Sequence, residues 1–187
     1  MPIFTVGYGN REILDFLDMI RDQGTNLLVD VRSTPYSRFQ PTYNQSSLEN
    51  SLRLMKIQYA WRGNQLGGRP ERPTLYTPDG YVDYEACQED FLFQQGFQEV
   101  KAWDLQGLTI ALMCSELRPE QCHRSRLVAQ GLTRMGLLVG HLDENGEMIT
   151  HQQLVDRITG GQESLLGLSP ESPLCRSDKP IGKSLLD

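Results

Sequence analysis

Short apolar runs alternate with amphipathic stretches along most of this chain, and that alternation constrains the fold more than any other feature. Residues 3–6, 27–31, 57–61, 108–113 and 137–142 read as strands. Their nearly continuous apolar character suits strands covered on both faces. Between the first two, Ile13, Phe16, Leu17 and Ile20 recur at helical spacing. Asn10 is the expected N-cap there and Gly24 the expected stop. Ser46 and Glu49 form a capping-box pattern ahead of the stripe Leu48, Leu52 and Met55. Residues 83–105 read as helix, with a break expected at Gly96 and Tyr84, Cys87 and Phe91 facing inward. Pro119 suits the first turn of a further helix that would carry Cys122 and His123 in its opening turns and end at Gly136. A turn at 143–146 and a capping box of Thr150 and Gln153 introduce a last helix, ending near Gly160. This pattern predicts an α/β fold: one domain over 1–160, a mostly parallel sheet with helices on both faces, and an irregular C-terminal tail over 161–187 that is disordered or loosely docked.

Such a sheet makes a functional prediction. Ligands of parallel α/β sheets bind outside the carboxyl ends of the strands. The Gly7-Tyr8-Gly9 turn, the loop carrying Arg32, the long loop 62–80 and the turn after Cys114 all follow strands. They are therefore expected to converge on one cleft.

Charge says what that cleft would receive. The net charge of −6 argues against broad nucleic-acid binding. Yet of 18 basic residues 14 are Arg, and eight of those fall in three short windows: Arg32 and Arg38; Arg62, Arg69 and Arg72; Arg118, Arg124 and Arg126. The planar guanidinium grips carboxylate and phosphate in a way an ammonium does not. An anionic small molecule or a nucleotide is the expected partner, with a nucleic-acid end possible through these arginines but not through bulk charge. No apolar stretch is long enough to span a bilayer and no signal peptide is read at the start, so no membrane partner and a cytoplasmic location are expected. Four irregularly spaced cysteines do not resemble a disulfide framework.

The chemistry concentrates in Cys114-Ser115-Glu116-Leu117-Arg118-Pro119-Glu120-Gln121-Cys122-His123-Arg124. Cys114 ends a strand and faces a helix start and several arginines, which favours thiolate and suits a nucleophile. The alternative is a buried core cysteine. Glu116 and His123 are the candidate proton carriers, or a cleft salt-bridge partner and a capping residue. Tyr8, Arg32, Arg38, Gly67, Gly68, Arg69, Arg118 and Arg124 are the candidate substrate-binding residues, the glycines for close backbone approach. Arg32 and Arg124 are expected to lie together with few carboxylates, so that a bound anion would relieve their repulsion. Cys87 reads as core and Cys175 as incidental. The spacing of Cys114, Cys122 and His123 matches none of the usual structural zinc patterns, so no cofactor is expected; those three, with His141, would be the ligands if zinc did bind. A reversible disulfide between Cys114 and Cys122 is a further possibility.

Gly7-Tyr8-Gly9, Val29-Asp30-Val31-Arg32-Ser33-Thr34-Pro35-Tyr36-Ser37-Arg38, Leu66-Gly67-Gly68, and Cys114-x-Glu116 followed by Pro119-x-x-Cys122-His123-Arg124 resemble the DUF488 family over residues 3–142. That likeness implies where a site lies more than what reaction it performs. Asp30-x-Arg32, a cysteine at a strand end and Arg124-Ser125 opening a helix also resemble rhodanese-type sulfurtransferases, although the turn from Cys114 to Arg124 is longer than a compact anion-cradling loop. The leading expectation is an enzyme, with no reaction class assigned, acting on an anionic, phosphate-bearing or nucleotide-like substrate. The alternatives are a non-catalytic module binding a nucleotide or nucleic-acid end, and a thiol redox or metal site.

Overall fold

The computed structural model describes residues 2–161 and 174–180. Six strands form one sheet in the order β3-β2-β4-β1-β5-β6. These are β1 (Ile3–Gly7), β2 (Leu27–Asp30), β3 (Gln58–Trp61), β4 (Ile110–Cys114), β5 (Val139–Leu142) and β6 (Met148–Thr150). The first five are mutually parallel, and β6 is an antiparallel edge added by the 143–146 turn. Side chains alternate between two cores, as a two-residue repeat requires. Ile3, Val29, Ile110, Leu112 and Cys114 face one; Phe4, Val6, Leu28, Ala111 and Met113 face the other.

Helices α1 (Ile13–Asp22) and α2 (Gln45–Leu54) cover the second core with Phe16, Leu17, Ile20, Leu48 and Leu52. The first core is covered by α5 (Phe91–Leu105) and by the helix after β4, through Phe93, Phe97, Leu127, Val128 and Leu132. Two short helices, α3 (Gly63–Leu66) and α4 (Tyr84–Glu89), lie before α5, and the last helix of the domain, α7 (His151–Thr159), follows β6.

Several boundaries differ from the sequence reading. Helix α1 starts three residues after Asn10, because residues 9–10 form a turn whose Arg11 amide donates to the Tyr8 carbonyl. Asn44 precedes α2 in place of Ser46, and its side chain caps nothing there because its Oδ1 accepts from the Ser37 amide at 2.6 Å. The break in 83–105 falls at Asp90, whose carboxylate accepts from the amides of Leu92 and Phe93 and so starts α5 afresh. That restart turns Phe91 out to solvent, 76% exposed, rather than inward. Gly96 sits inside α5 because Leu66 packs where its Cβ would stand. The 150–153 capping box and the left-handed Gly160 are as read.

Strands β1 and β4 are neighbours, Gly7 beside Cys114, yet their connections leave for opposite faces of the sheet. Crevices of parallel α/β sheets open where neighbouring connections diverge in this way. The cleft lies there.

Candidate functional site

A cleft of about 790 Å³ opens over the carboxyl ends of β1, β2 and β4. Tyr8, Arg32, Gly68, Arg69, Cys114 and His123 all line it, so the four loops do converge. The long turn after β4 builds its floor. It does not begin as one continuous helix. Pro119–Gln121 is a short 3-10 turn, and Cys122 is then extended, with φ −123 and ψ 140. The π-helix Arg124–Ala129 follows and passes into α6 (Gln130–Arg134). Cys122 therefore lies before the helix and not in its opening turns, while His123, with φ −58 and ψ −27, stands at the helix start as read. The extended Cys122 swings its thiol back toward Cys114.

Three ligating atoms meet at this floor. His123 Nδ1 is 3.7 Å from Cys114 Sγ and 3.8 Å from Cys122 Sγ. The other ring nitrogen, Nε2, lies 3.0 Å from the Val31 carbonyl. A carbonyl only accepts, so Nε2 carries a proton, and Nδ1 is left to take a thiol's proton and hold it against the resulting thiolate. Gly68 leaves room for the ring, since a Cβ there would stand 2.6 Å from it. Both thiols are buried, Cys114 4% and Cys122 1% exposed.

The thiols are not equivalent. Cys114 is held well below the usual thiol range, first by the hydrogen bond from Cys122 and then by His123 and Arg124, which outweigh its burial. Burial pushes Cys122 well up, as does its role as donor to Cys114. Burial pulls His123 down, but the Cys114 charge and its hydrogen bonds win and raise it. The favoured state has one thiolate, on Cys114.

Arg124 explains part of that bias. Its side chain is fully buried. Its guanidinium donates to the carbonyls of Glu116 and Leu117 and to Thr5 Oγ1, all neutral oxygens. A buried cation held by dipoles alone favours a negative charge nearby, and Cys114 supplies one. Gly7 makes room for this clamp, since any Cβ there would collide with the Glu116 carbonyl. The amides of Tyr8 and Gly9 donate to the carbonyls of Cys114 and Ser115, so the Gly7-Tyr8-Gly9 turn braces the cysteine turn instead of cradling a phosphate.

The candidate substrate-binding residues thus divide. Tyr8, Arg32, Gly68 and Arg69 line the cleft. Arg32 is 4% exposed and ion-paired with Asp30 at 2.6 Å, and Tyr59 donates to the same carboxylate. Burial alone would lower its pKa, but Asp30 outweighs burial and raises it. Gly67 is buried against Ser33 and Gly63. Arg38 is exposed outside the cleft, Arg118 pairs with Glu144 at 3.5 Å, and Arg124 is the internal clamp. Arg32 and Arg124 are not a bare pair awaiting an anion, because each has its own acceptors. Of the candidate proton carriers, Glu116 and His123 both line the cleft. His141 faces Thr5 and His151, away from the thiols. Cys87 is fully buried core.

One wall was not foreseen. Residues 174–180 of the expected tail lie against the domain: the Tyr84 amide donates to the Cys175 carbonyl and Arg176 bridges Asp83. Asp178 pairs with the buried Arg126, and Lys179 reaches the cleft. The pairings of Cys175 and Arg176 span about ninety residues and that of Asp178 spans 52, and nothing local in the sequence signals them. The rest of the 161–187 segment, apart from Gly161, lies outside the described residues. Among the described residues no helix is long and apolar enough to cross a membrane.

No curated protein and no solved structure matches this chain. Likeness to sulfurtransferases finds no support there. A family model does match, over residues 12–130, and is described as a domain of unknown function. That span holds Arg32, Gly68, Cys114, Cys122, His123 and Arg124, and the chain belongs to the DUF488 family.

Proposed function

We propose that the protein is an enzyme acting on an anionic, phosphate-bearing small molecule, with Cys114 as its nucleophile. One observation carries this reading: Cys114 Sγ lies 3.7 Å from His123 Nδ1, and the Val31 carbonyl holds the other ring nitrogen so that Nδ1 is free to take the thiol proton. A thiol and a fixed imidazole at that distance form the nucleophile–base pair of covalent catalysis. His123 takes the thiol proton and later returns it to the leaving group. The Cys114 sulfur bonds to the electrophilic centre as the bond to the leaving group breaks, and water then releases the product. Arg69 and Lys179 present cations at a cleft that Arg32 and Tyr8 also line, which suits a substrate with one anionic end. Glu116 stands at the same mouth, placed to exchange a proton with the attacking water.

The experiment is a turnover and thermal-shift screen of phosphate monoesters, nucleotides and sulfur donors against wild type and C114S. A substrate found this way should bind both proteins, and C114S should lose about 100-fold or more in turnover. Undiminished turnover in C114S removes the nucleophile. Binding without turnover in wild type makes the protein a nucleotide-binding module.

A further inference from the structure

We infer that Cys114, Cys122 and His123 bind a zinc-class divalent metal ion, with the fourth coordination position open to the cleft. The inference rests on the reading that this cluster is the reactive centre, and adds a metal-loaded state to it.

The two sulfur–nitrogen separations are close to those a tetrahedral ion imposes. With zinc–sulfur near 2.3 Å and zinc–nitrogen near 2.0–2.1 Å, tetrahedral angles place ligand sulfur and nitrogen about 3.6 Å apart. Here they are 3.7 and 3.8 Å apart, and the three ligand atoms lie within 4.8 Å of one another. A hydrogen-bonded trio needs no such convergence of both thiols on one nitrogen. The tautomer is also that of a ligand. Metal-binding imidazoles donate their second N–H to a carbonyl or carboxylate, which fixes the ring, and the Val31 carbonyl does this for His123. Gly68 lets the loop approach the ring closely, since a Cβ there would stand 2.6 Å from it.

The charge balance agrees. Two thiolates neutralise a divalent ion, and the Arg124 clamp disfavours a net positive centre while tolerating a neutral one. Thiolates with an imidazole select a borderline-soft ion such as zinc over magnesium or calcium. The spacing matches no structural zinc pattern, and structural sites are closed by four protein ligands, whereas here three converge. Among the described residues no other His, Cys, Asp or Glu joins the cluster. Three protein ligands and a solvent-facing fourth position are the arrangement of catalytic zinc. The ligand at that position would be water or an anionic oxygen of the substrate, with Glu116 at the same cleft to exchange its proton.

The test is cobalt titration of the full chain after chelation and reduction. Wild type should take up about one ion and develop thiolate-to-cobalt charge-transfer absorption. C122S should lose that absorption, and C87A, which removes a buried thiol elsewhere, should keep it. Should C122S fail to fold, zinc protection of Cys114 from alkylation in wild type gives the answer alone. Absent charge-transfer absorption, or an unchanged rate of Cys114 alkylation at saturating zinc, overturns the metal site. Rapid Cys114 alkylation in the metal-free protein would still stand as support for the nucleophile. Conversely, cobalt uptake with an inert Cys114 in the metal-free state would sink the nucleophile and leave the metal.

Discussion

Arg124 shows how a residue's type can be legible while its role is not. From the sequence it reads as an anion binder at a helix start, paired with Arg32 so that a bound anion would relieve their repulsion. In the structure its long stem carries the guanidinium inward, where it holds the carbonyls of Glu116 and Leu117. Arg124→Ala is therefore expected to destabilise the protein by about 3–5 kcal/mol, since two buried carbonyls lose their donor. Urea unfolding measures it, and a change below about 1 kcal/mol would mean the clamp is redundant. Cys114 was readable because a strand-end thiol before a polar turn is a local pattern. Its contrast with Cys87 gives a second expectation. Burial pushes the Cys87 thiol up to about 12, whereas Cys114 is held low and borders the cleft. In metal-free native protein at neutral pH, Cys114 should react with iodoacetamide at least ~10-fold faster than Cys87. Equal rates by peptide mass spectrometry would remove the special environment claimed for Cys114.

At the level of elements, the five parallel strands were legible because each is mostly apolar, whereas the three-residue antiparallel edge β6 is too short to show a readable pattern. What was not legible is where helices restart. Asp90 wins over Gly96 because its carboxylate satisfies two amides at once, and a glycine inside a helix costs only about 1 kcal/mol. The extended Cys122 before a π-helix is likewise invisible to periodicity, and single π turns often mark functional positions. Here the interruption is what brings two thiols to one imidazole. The loop before α4 supplies the opposite wall through Gly68. Gly68→Ala is expected to keep the fold but push the His123 ring from its place, because the new methyl would stand 2.6 Å from the ring. Cobalt affinity should fall about 10–100-fold, as for other changes that misorient a ligand. Unaltered affinity with an unaltered His123 resonance would show that the loop yields and that the ring is held by Val31 alone.

On the scale of the whole molecule, sheet order places a second polar system behind the site, one the sequence does not announce because its members come from β1, β5, α6 and α7. Thr5 Oγ1 lies 2.8 Å from His141 Nδ1, His141 Nε2 2.9 Å from His151 Nδ1, and His151 Nε2 2.8 Å from Gln130 Oε1. With the Gln130 carbonyl oxygen accepting, every proton runs one way, from Thr5 toward Gln130, and both imidazoles must be neutral. Arg124 joins the chain at its head, donating to Thr5. Burial lowers His151 to about 4, and burial, His151 and Arg124 together hold His141 well below its ordinary value. The sign follows from linkage. Between about pH 6.5 and 4 the unfolded chain takes up a proton on each histidine that the folded chain refuses, so stability falls as pH falls through that window. Above it, the contribution of neutral histidines is complete. For His151 the shift corresponds to about 3 kcal/mol, reached at a slope near 1.4 kcal/mol per pH unit. His151→Gln keeps a polar group at the position but removes the titration. Urea unfolding at intervals from pH 7.5 to 4.5 should therefore show a shallower loss of stability in the variant, whatever its starting stability at neutral pH. Parallel curves for the two proteins would mean that His151 takes up its proton equally in both states and is not sealed from water as the hydrogen-bonded chain requires.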